Sequence, residues 1–292
     1  MSILIDRDSR VVVQGITGNE GRFHTRAMLH YGTRIVGGVT PGKGGQRVEG
    51  IPVYDTVDEA VRNNSVDTSI MFVPAANALS AAFEAIDAGI KTLVVITESI
   101  PQKDAIEFIA KADRAGTVVV GPNAPGVINP GARIHVGVMP VHVFRPGVIG
   151  MVSRSGTLTY EIAWHVSNAD LGQSTCIGIG GDAIVGLDFI KILDMFRDEE
   201  DTKGVVIIGE IGGNAEELAA QYIRETNYPK PVVAYVAGRF APPEKRMGHA
   251  GAIIMGNSGT AKSKIDAFVD AGIPVAEKPS KVAELLKTLV KK

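Results

Sequence analysis

Two periodicities alternate along the chain. Short runs rich in β-branched residues at 11–13, 35–39, 68–73, 92–97 and 117–121 predict strands, and helical-period segments at 20–31, 58–63, 76–88 and 103–115 predict the connections between them. A helix between each pair of successive strands makes the sheet parallel and doubly wound, a Rossmann-like half. From 121 to 147 the alternation lapses, and Pro122, Pro125, Pro130, Pro140 and Pro146 read as a crossing between domains. It resumes with strands at 148–152, 174–179, 205–208, 232–236 and 274–276, separated by helices at 157–168, 187–196, 215–225, 260–271 and 280–290. The expectation is α/β twice over: a Rossmann-like domain at 1–122 and a second parallel α/β domain at 123–292.

Composition narrows the class. The chain has 292 residues, 45% hydrophobic and 21% charged, which suits two globular domains and excludes disordered and fibrous classes. With 30 basic and 32 acidic side chains the formal net charge is -2, so no global positive field gathers nucleic acid or anionic lipid, and any anion must be held locally. Cys176 is the single cysteine and lies in an apolar stretch, which fits a buried thiol in a reducing compartment. Neither an apolar leader nor a run of about 18 uncharged apolar residues stands out, so the expected location is the cytoplasm or an organelle matrix.

Candidate chemistry sits in the glycine-rich loops. Gly15, Gly18 and Gly21 follow the first strand and open the first helix, where backbone N–H groups can approach a diphosphate at a helix N-terminus. The spacing differs from G-x-G-x-x-G, and a plain tight turn fits it as well. An NAD site needs an acid near the tip of the second strand, yet the tip reads Thr40-Pro41-Gly42-Lys43-Gly44-Gly45. Lys43 suits a phosphorylated ribose, found in both NADP and CoA, or is simply a solvated lysine. Gly37 to Lys43 also spells G-x-x-x-x-G-K, but Gly44 replaces the hydroxyl residue that binds magnesium, so the P-loop reading fails.

Ser153-Arg154-Ser155-Gly156-Thr157 likewise follows a strand and opens a helix, which fits either a phosphate site or ordinary capping. Gly180-Gly181-Asp182 and Gly209-Glu210-Ile211-Gly212-Gly213 end two further strands at the same expected carboxyl edge. His249 lies between Gly248 and Ala250-Gly251, where little side-chain cover is expected, so its imidazole can act as a nucleophile or be merely exposed. Lys245 and Arg246 are the cations expected to steady phosphoryl oxygens, and Glu210 the acid that fixes the ring tautomer. No metal-ligand cluster is evident.

These motifs, together with Ile96-Thr97-Glu98, Gly121-Pro122-Asn123 and Leu158-Thr159-Tyr160-Glu161, resemble the α subunits of succinyl-CoA synthetases, in order and from end to end. The resemblance implies an N-terminal CoA-binding Rossmann domain, a C-terminal flavodoxin-like domain, and ligase activity in the citric acid cycle. It implies that Thr17, Gly18, Asn19, Glu20, Lys43, Ile96, Thr97 and Glu98 contact CoA, that Tyr160, Ser155 and Gly156 serve substrate and phosphate, and that His249 is phosphorylated with Glu210 as its paired carboxylate. Mg2+ and ADP or GDP are implied on a β subunit of ATP-grasp type, in an αβ or (αβ)2 assembly. One departure is Ala124, where the family often has Cys. An NADP-dependent oxidoreductase, a non-catalytic CoA sensor and another NDP-forming acyl-CoA synthetase subunit are the competing readings. The first explains the Lys43 loop but not the glycine-bounded histidine.

Overall fold

A computed structural model describes residues 3–242, 244–254 and 259–290; Pro243 of the histidine loop lies outside the described residues. The chain divides into two compact units. One comprises residues 4–139 and 184–187, the other residues 1–3, 140–183 and 188–292.

In the first unit the strands are β1 (Val11–Gln14), β2 (Ile35–Val39), β3 (Arg47–Val48), β4 (Ile51–Tyr54), β5 (Thr68–Met71), β6 (Thr92–Val95), β7 (Val118–Val120), β8 (Gly126–Asn129) and β9 (Ile134–Gly137). The helices are α1 (Asn19–Tyr31), α2 (Val57–Asn63), α3 (Ala75–Asp87) and α4 (Gln102–Ala115). The sheet order is β3-β4-β2-β1-β5-β6-β7, parallel apart from β3 against β4. Strand order reverses between β1 and β5, which opens a crevice at the carboxyl ends of those two strands. Val11, Val12, Val13, Ile70, Met71, Leu93, Val94 and Val95 are buried, as parallel strands covered on both faces require. Beneath the helices, Phe108 and Ala112 of α4 and Ala78, Ala82 and Ala85 of α3 join one core cluster, each large side chain contributing about 1.5–3 kcal/mol.

The stretch expected to be only a crossing carries a hairpin: β8 and β9 pair antiparallel, Val127 opposite Val136. The β3–β4 pair is a second addition. Both escape a periodicity reading because strands of two to four residues give too few alternations. In the β8–β9 hairpin the end pair is moreover glycine against glycine, Gly126 opposite Gly137, where a Cβ on Gly126 would stand 2.2 Å from the Val136 carbonyl oxygen.

The second unit carries β10 (Pro146–Ser153), β11 (Gln173–Gly178), β12 (Gly204–Glu210), β13 (Val232–Ala237) and β14 (Val275–Ala276). Its helices are α5 (Gly156–Asn168), α6 (Phe189–Asp198), α7 (Ala215–Glu225), α8 (Ala261–Asp270) and α9 (Lys281–Leu289). These five strands run in the order β14-β13-β12-β10-β11, all parallel. This is the flavodoxin-like order, with its reversal between β10 and β12. Among the described residues no helix is long and apolar enough to cross a membrane.

Candidate functional sites in the two units

In the first unit a cavity of about 450 Å³ opens where the strand order reverses. The loop after β1 lines it with Gln14, Gly15, Thr17 and Gly18; Val39, Thr40 and Pro41 close one side, and Phe72, Val73 and Pro74 the other. Asn77, Ser80, Ala81 and Glu84 of α3 complete the wall. The glycines are needed for close approach: a Cβ on Gly21 would stand 2.2 Å from the Gly15 carbonyl oxygen, and Gly15 itself has φ +79°. Thr17 donates its hydroxyl to that of Thr40 (3.1 Å), which donates to the Val39 carbonyl (2.8 Å), tying the loop to the tip of β2.

Of the residues expected to contact CoA, only Thr17 and Gly18 line this cavity. Gly18 caps α1, and Asn19 and Glu20 are exposed in its first turn, where Glu20 pairs with His24 at 3.5 Å. Lys43 is exposed in the turn after β2; at its neighbour Gly44, the N–H donates to Asp55 (2.8 Å). Ile96, Thr97 and Glu98 follow the end of β6, and Thr97 donates its hydroxyl to the carbonyl of the cavity residue Val73 (2.7 Å).

In the second unit, β10, β11 and β12 end side by side, Ser153 in register with Gly178 and Ile208. Glu210 closes β12 and is buried. Its two carboxylate oxygens lie 2.9 and 3.0 Å from Nδ1 of His249. A carboxylate can only accept, so Nδ1 carries the hydrogen and Nε2 keeps its lone pair. That hydrogen bond raises the His249 pKa above the ordinary imidazole value, against the opposing effects of burial and of Arg154.

The histidine has more cover than its glycine neighbours suggested: its side chain is 30% exposed. Gly181, after β11, lies close against the ring, and a Cβ there would meet Cγ of His249 at 2.3 Å. The loop is tied down by the Gly251 N–H donating to the Gly181 carbonyl (3.1 Å) and by a turn from the Ala252 N–H to the His249 carbonyl (3.1 Å).

Lys245 and Arg246, the cations expected beside the histidine, are exposed. The cation that reaches the Glu210 carboxylate is Arg154, Nη2 at 3.6 Å from Oε1. Arg154 is buried and donates through Nη1 to Glu216 (3.1 Å) and to the Gly212 carbonyl (3.0 Å). Glu216 and Lys264, both fully buried, pair with each other. Sequence reasoning assigned no role to these three. A signal was present: Glu216 shares spacing with Ala219, Ala220 and Ile223, and Lys264 with Ala261 and Phe268, which puts both charges on buried helix faces.

Ser155 is the N-cap of α5, its hydroxyl accepting from the Leu158 N–H (3.4 Å), so the capping reading holds. Capping leaves the N–H groups of Gly156 and Thr157 without partners inside the helix, facing out of the same sheet edge. Tyr160 lies in the next turn; burial, reinforced by nearby Cys176, pushes its phenol up to about 12, so it stays neutral. Among the described residues no group of three or more His, Cys, Asp or Glu side chains is placed to hold a metal ion.

Known proteins resemble the chain in both units. Residues 6–99 match the family described as CoA binding domain, and residues 152–273 the family described as CoA-ligase. The subunit alpha 2 of succinate–CoA ligase [ADP-forming] from Archaeoglobus fulgidus is 56% identical over 290 residues, 99% of this chain and 100% of that protein. The corresponding alpha subunit from Aquifex aeolicus is 53% identical over 294 residues, 100% of this chain and 95% of its own. Among solved structures, a variant ATP citrate lyase of Methanosaeta concilii in complex with (3S)-citryl-CoA aligns with a TM-score of 0.88 at 26% identity. That alignment covers 99% of this chain and 52% of the lyase chain, so this chain spans about half the length of that protein.

Proposed function

The chain belongs to the family of succinate–CoA ligase α subunits, and from that premise we propose that it interconverts succinyl-CoA, NDP and phosphate with succinate, CoA and NTP through a phosphohistidine on His249. The observation that carries this reading is the Glu210 carboxylate on Nδ1, which leaves Nε2 of a partly exposed imidazole as a directed nucleophile.

Three transfers follow. Phosphate oxygen attacks the thioester carbonyl; the C–S bond breaks, CoA leaves as thiolate and takes up a proton, and succinyl phosphate remains. Nε2 of His249 then attacks phosphorus, and the P–O bond to the acyl group breaks with succinate leaving as its carboxylate. The imidazolium so formed keeps its proton on Nδ1, which donates to the Glu210 carboxylate, and that negative charge offsets the ring's positive charge. In the last step an oxygen of the nucleoside diphosphate attacks phosphorus, the P–N bond breaks, and neutral His249 returns. The Gly156 and Thr157 N–H groups at the start of α5 hold the phosphate, with Ser155 keeping the helix end open and Tyr160 facing the substrate as a neutral donor.

CoA binds the 1–122 domain. Thr17 and Gly18 hold its diphosphate at the start of α1 with Asn19 and Glu20 beside them, Lys43 pairs with the ribose phosphate, and Ile96, Thr97 and Glu98 flank the chain of the cofactor. Lys43→Glu is therefore expected to weaken CoA binding roughly tenfold or more, since one favourable charge contact becomes a repulsive one. Isothermal calorimetry checks this; unchanged CoA affinity, or tighter binding of NADP than of CoA by the unaltered chain, contradicts it.

The nucleotide acceptor and its magnesium belong to an ATP-grasp β subunit. The pure chain alone is expected to make no ATP or GTP from succinyl-CoA and phosphate, and synthesis is expected to start when the copurifying nucleotide-binding subunit is added. Sustained synthesis by the isolated chain contradicts the proposal.

A further inference from the structure

Glu216 sits in the first turn of α7, where a carboxylate usually faces water and favours the helix N-terminus. Here it is fully buried. Its Oε1 accepts from the N–H of Glu210 (3.0 Å) and from Nη1 of Arg154 (3.1 Å), while Oε2 takes the ammonium of Lys264. Lys264 in turn donates to the Gly212 carbonyl at 2.8 Å. The backbone of β12 is shaped around this carboxylate: a Cβ on Gly209 would stand 2.4 Å from Cγ of Glu216.

Stability gives little reason for this arrangement, because buried ion pairs are often replaced by apolar residues of like volume without loss. The other ends of these bonds are more telling. The Glu210 N–H belongs to the residue that holds His249, Arg154 lies 3.6 Å from its carboxylate, and the Gly212 carbonyl, which also accepts from Arg154, is two residues on in the same loop. Arg154 turns Nη1 toward Glu216 and leaves Nη2 at 3.6 Å from the Glu210 carboxylate, too long for a hydrogen bond. Remove the charge at 216, and the carboxylate left beside Arg154 is that of Glu210.

We infer that Glu216 is a positioning residue for phosphoryl transfer: clamped by Lys264, it pins the backbone of Glu210 and keeps Arg154 from closing on the Glu210 carboxylate, so that this carboxylate stays on Nδ1 of His249. The inference rests on the phosphohistidine reading above.

Its consequence is a pH signature. The groups facing His249 are Glu210 at the end of β12, Arg154 after β10 and Asp182 after β11; Glu244, Lys245 and Arg246 of its own loop are exposed. Only the neutral ring attacks phosphorus, so the phosphorylation rate rises with pH along an acid limb and levels off once the ring is neutral. Glu210 raises the pKa of His249, which sets that limb above the ordinary imidazole range. When Arg154 captures Glu210, the limb moves to lower pH, while the plateau falls because the ring has lost its aim.

The test measures single-turnover phosphorylation of the assembled enzyme by labelled nucleoside triphosphate and magnesium, from about pH 5.5 to about pH 8.5. Glu216→Gln is expected to lower the plateau roughly tenfold or more and to shift the acid limb to lower pH, with the KM for CoA within about twofold of the original. The double variant Glu216→Gln, Lys264→Met removes one charge of each sign. It is expected to recover thermal stability yet keep the slow plateau and the shifted limb, and it carries the comparison if the single variant accumulates poorly. Wild-type rate and limb in the folded double variant would overturn the inference. Label surviving in His249→Asn would instead overturn the phosphohistidine reading, so the two failures are distinguishable.

Discussion

His249→Asn, assembled with the proposed nucleotide-binding subunit, is expected to lose nucleoside triphosphate synthesis by at least about three orders of magnitude while binding CoA as before. Asn is the informative substitution because its amide can still donate to Glu210 from near the Nδ1 position, so the loop loses the nucleophile and little else. In the proposed mechanism the first transfer uses phosphate rather than histidine, so the variant is expected to release CoA and retain succinyl phosphate, at most one per site. Coupled assay of nucleotide formation and calorimetry of CoA binding check the two halves. Synthesis within tenfold of wild type would remove His249 from the mechanism.

The second large effect comes from a residue with no functional group. Gly181→Ala places a methyl 2.3 Å from Cγ and 2.5 Å from Nδ1 of His249, distances no carbon tolerates, so the ring must move. A displacement near 1 Å costs on the order of a hundredfold when attack geometry matters. The expected result is a drop in kcat of about that size with CoA affinity unchanged, since the collision is confined to the histidine loop. Wild-type kcat would mean that the ring position seen here is not the reacting one.

Much of this was legible in the chain. Strand-helix alternation gave both parallel sheets, because strands buried on both faces read as continuous runs such as Val11-Val12-Val13 and Val205-Val206-Ile207-Ile208, and each is followed by a helix with its own period. The loops that bear Thr17, Ser155, Glu210 and His249 were found through their glycines. The short pairs β3–β4 and β8–β9 were not, since Gly126 and Gly137 carry no side chain to show a period. The charge network under His249 was missed for a different reason. Arg154, Glu216 and Lys264 are residue types that usually face water, and only the apolar company of Glu216 and Lys264 on their helix faces shows that they do not. Lys245 and Arg246 lie near His249 in sequence, whereas Arg154 reaches the site from another strand end.

The central claim, that His249 carries the phosphoryl group, is tested most directly by incubating the assembled enzyme with γ-labelled nucleoside triphosphate and magnesium and mapping the label by mass spectrometry under alkaline conditions. A single label is expected, on Nε2 of His249, because Glu210 occupies Nδ1. It should be lost in acid, where protonation makes the ring a better leaving group, and should survive alkali. Label on a serine or aspartate, or label that persists in His249→Asn, would contradict the mechanism.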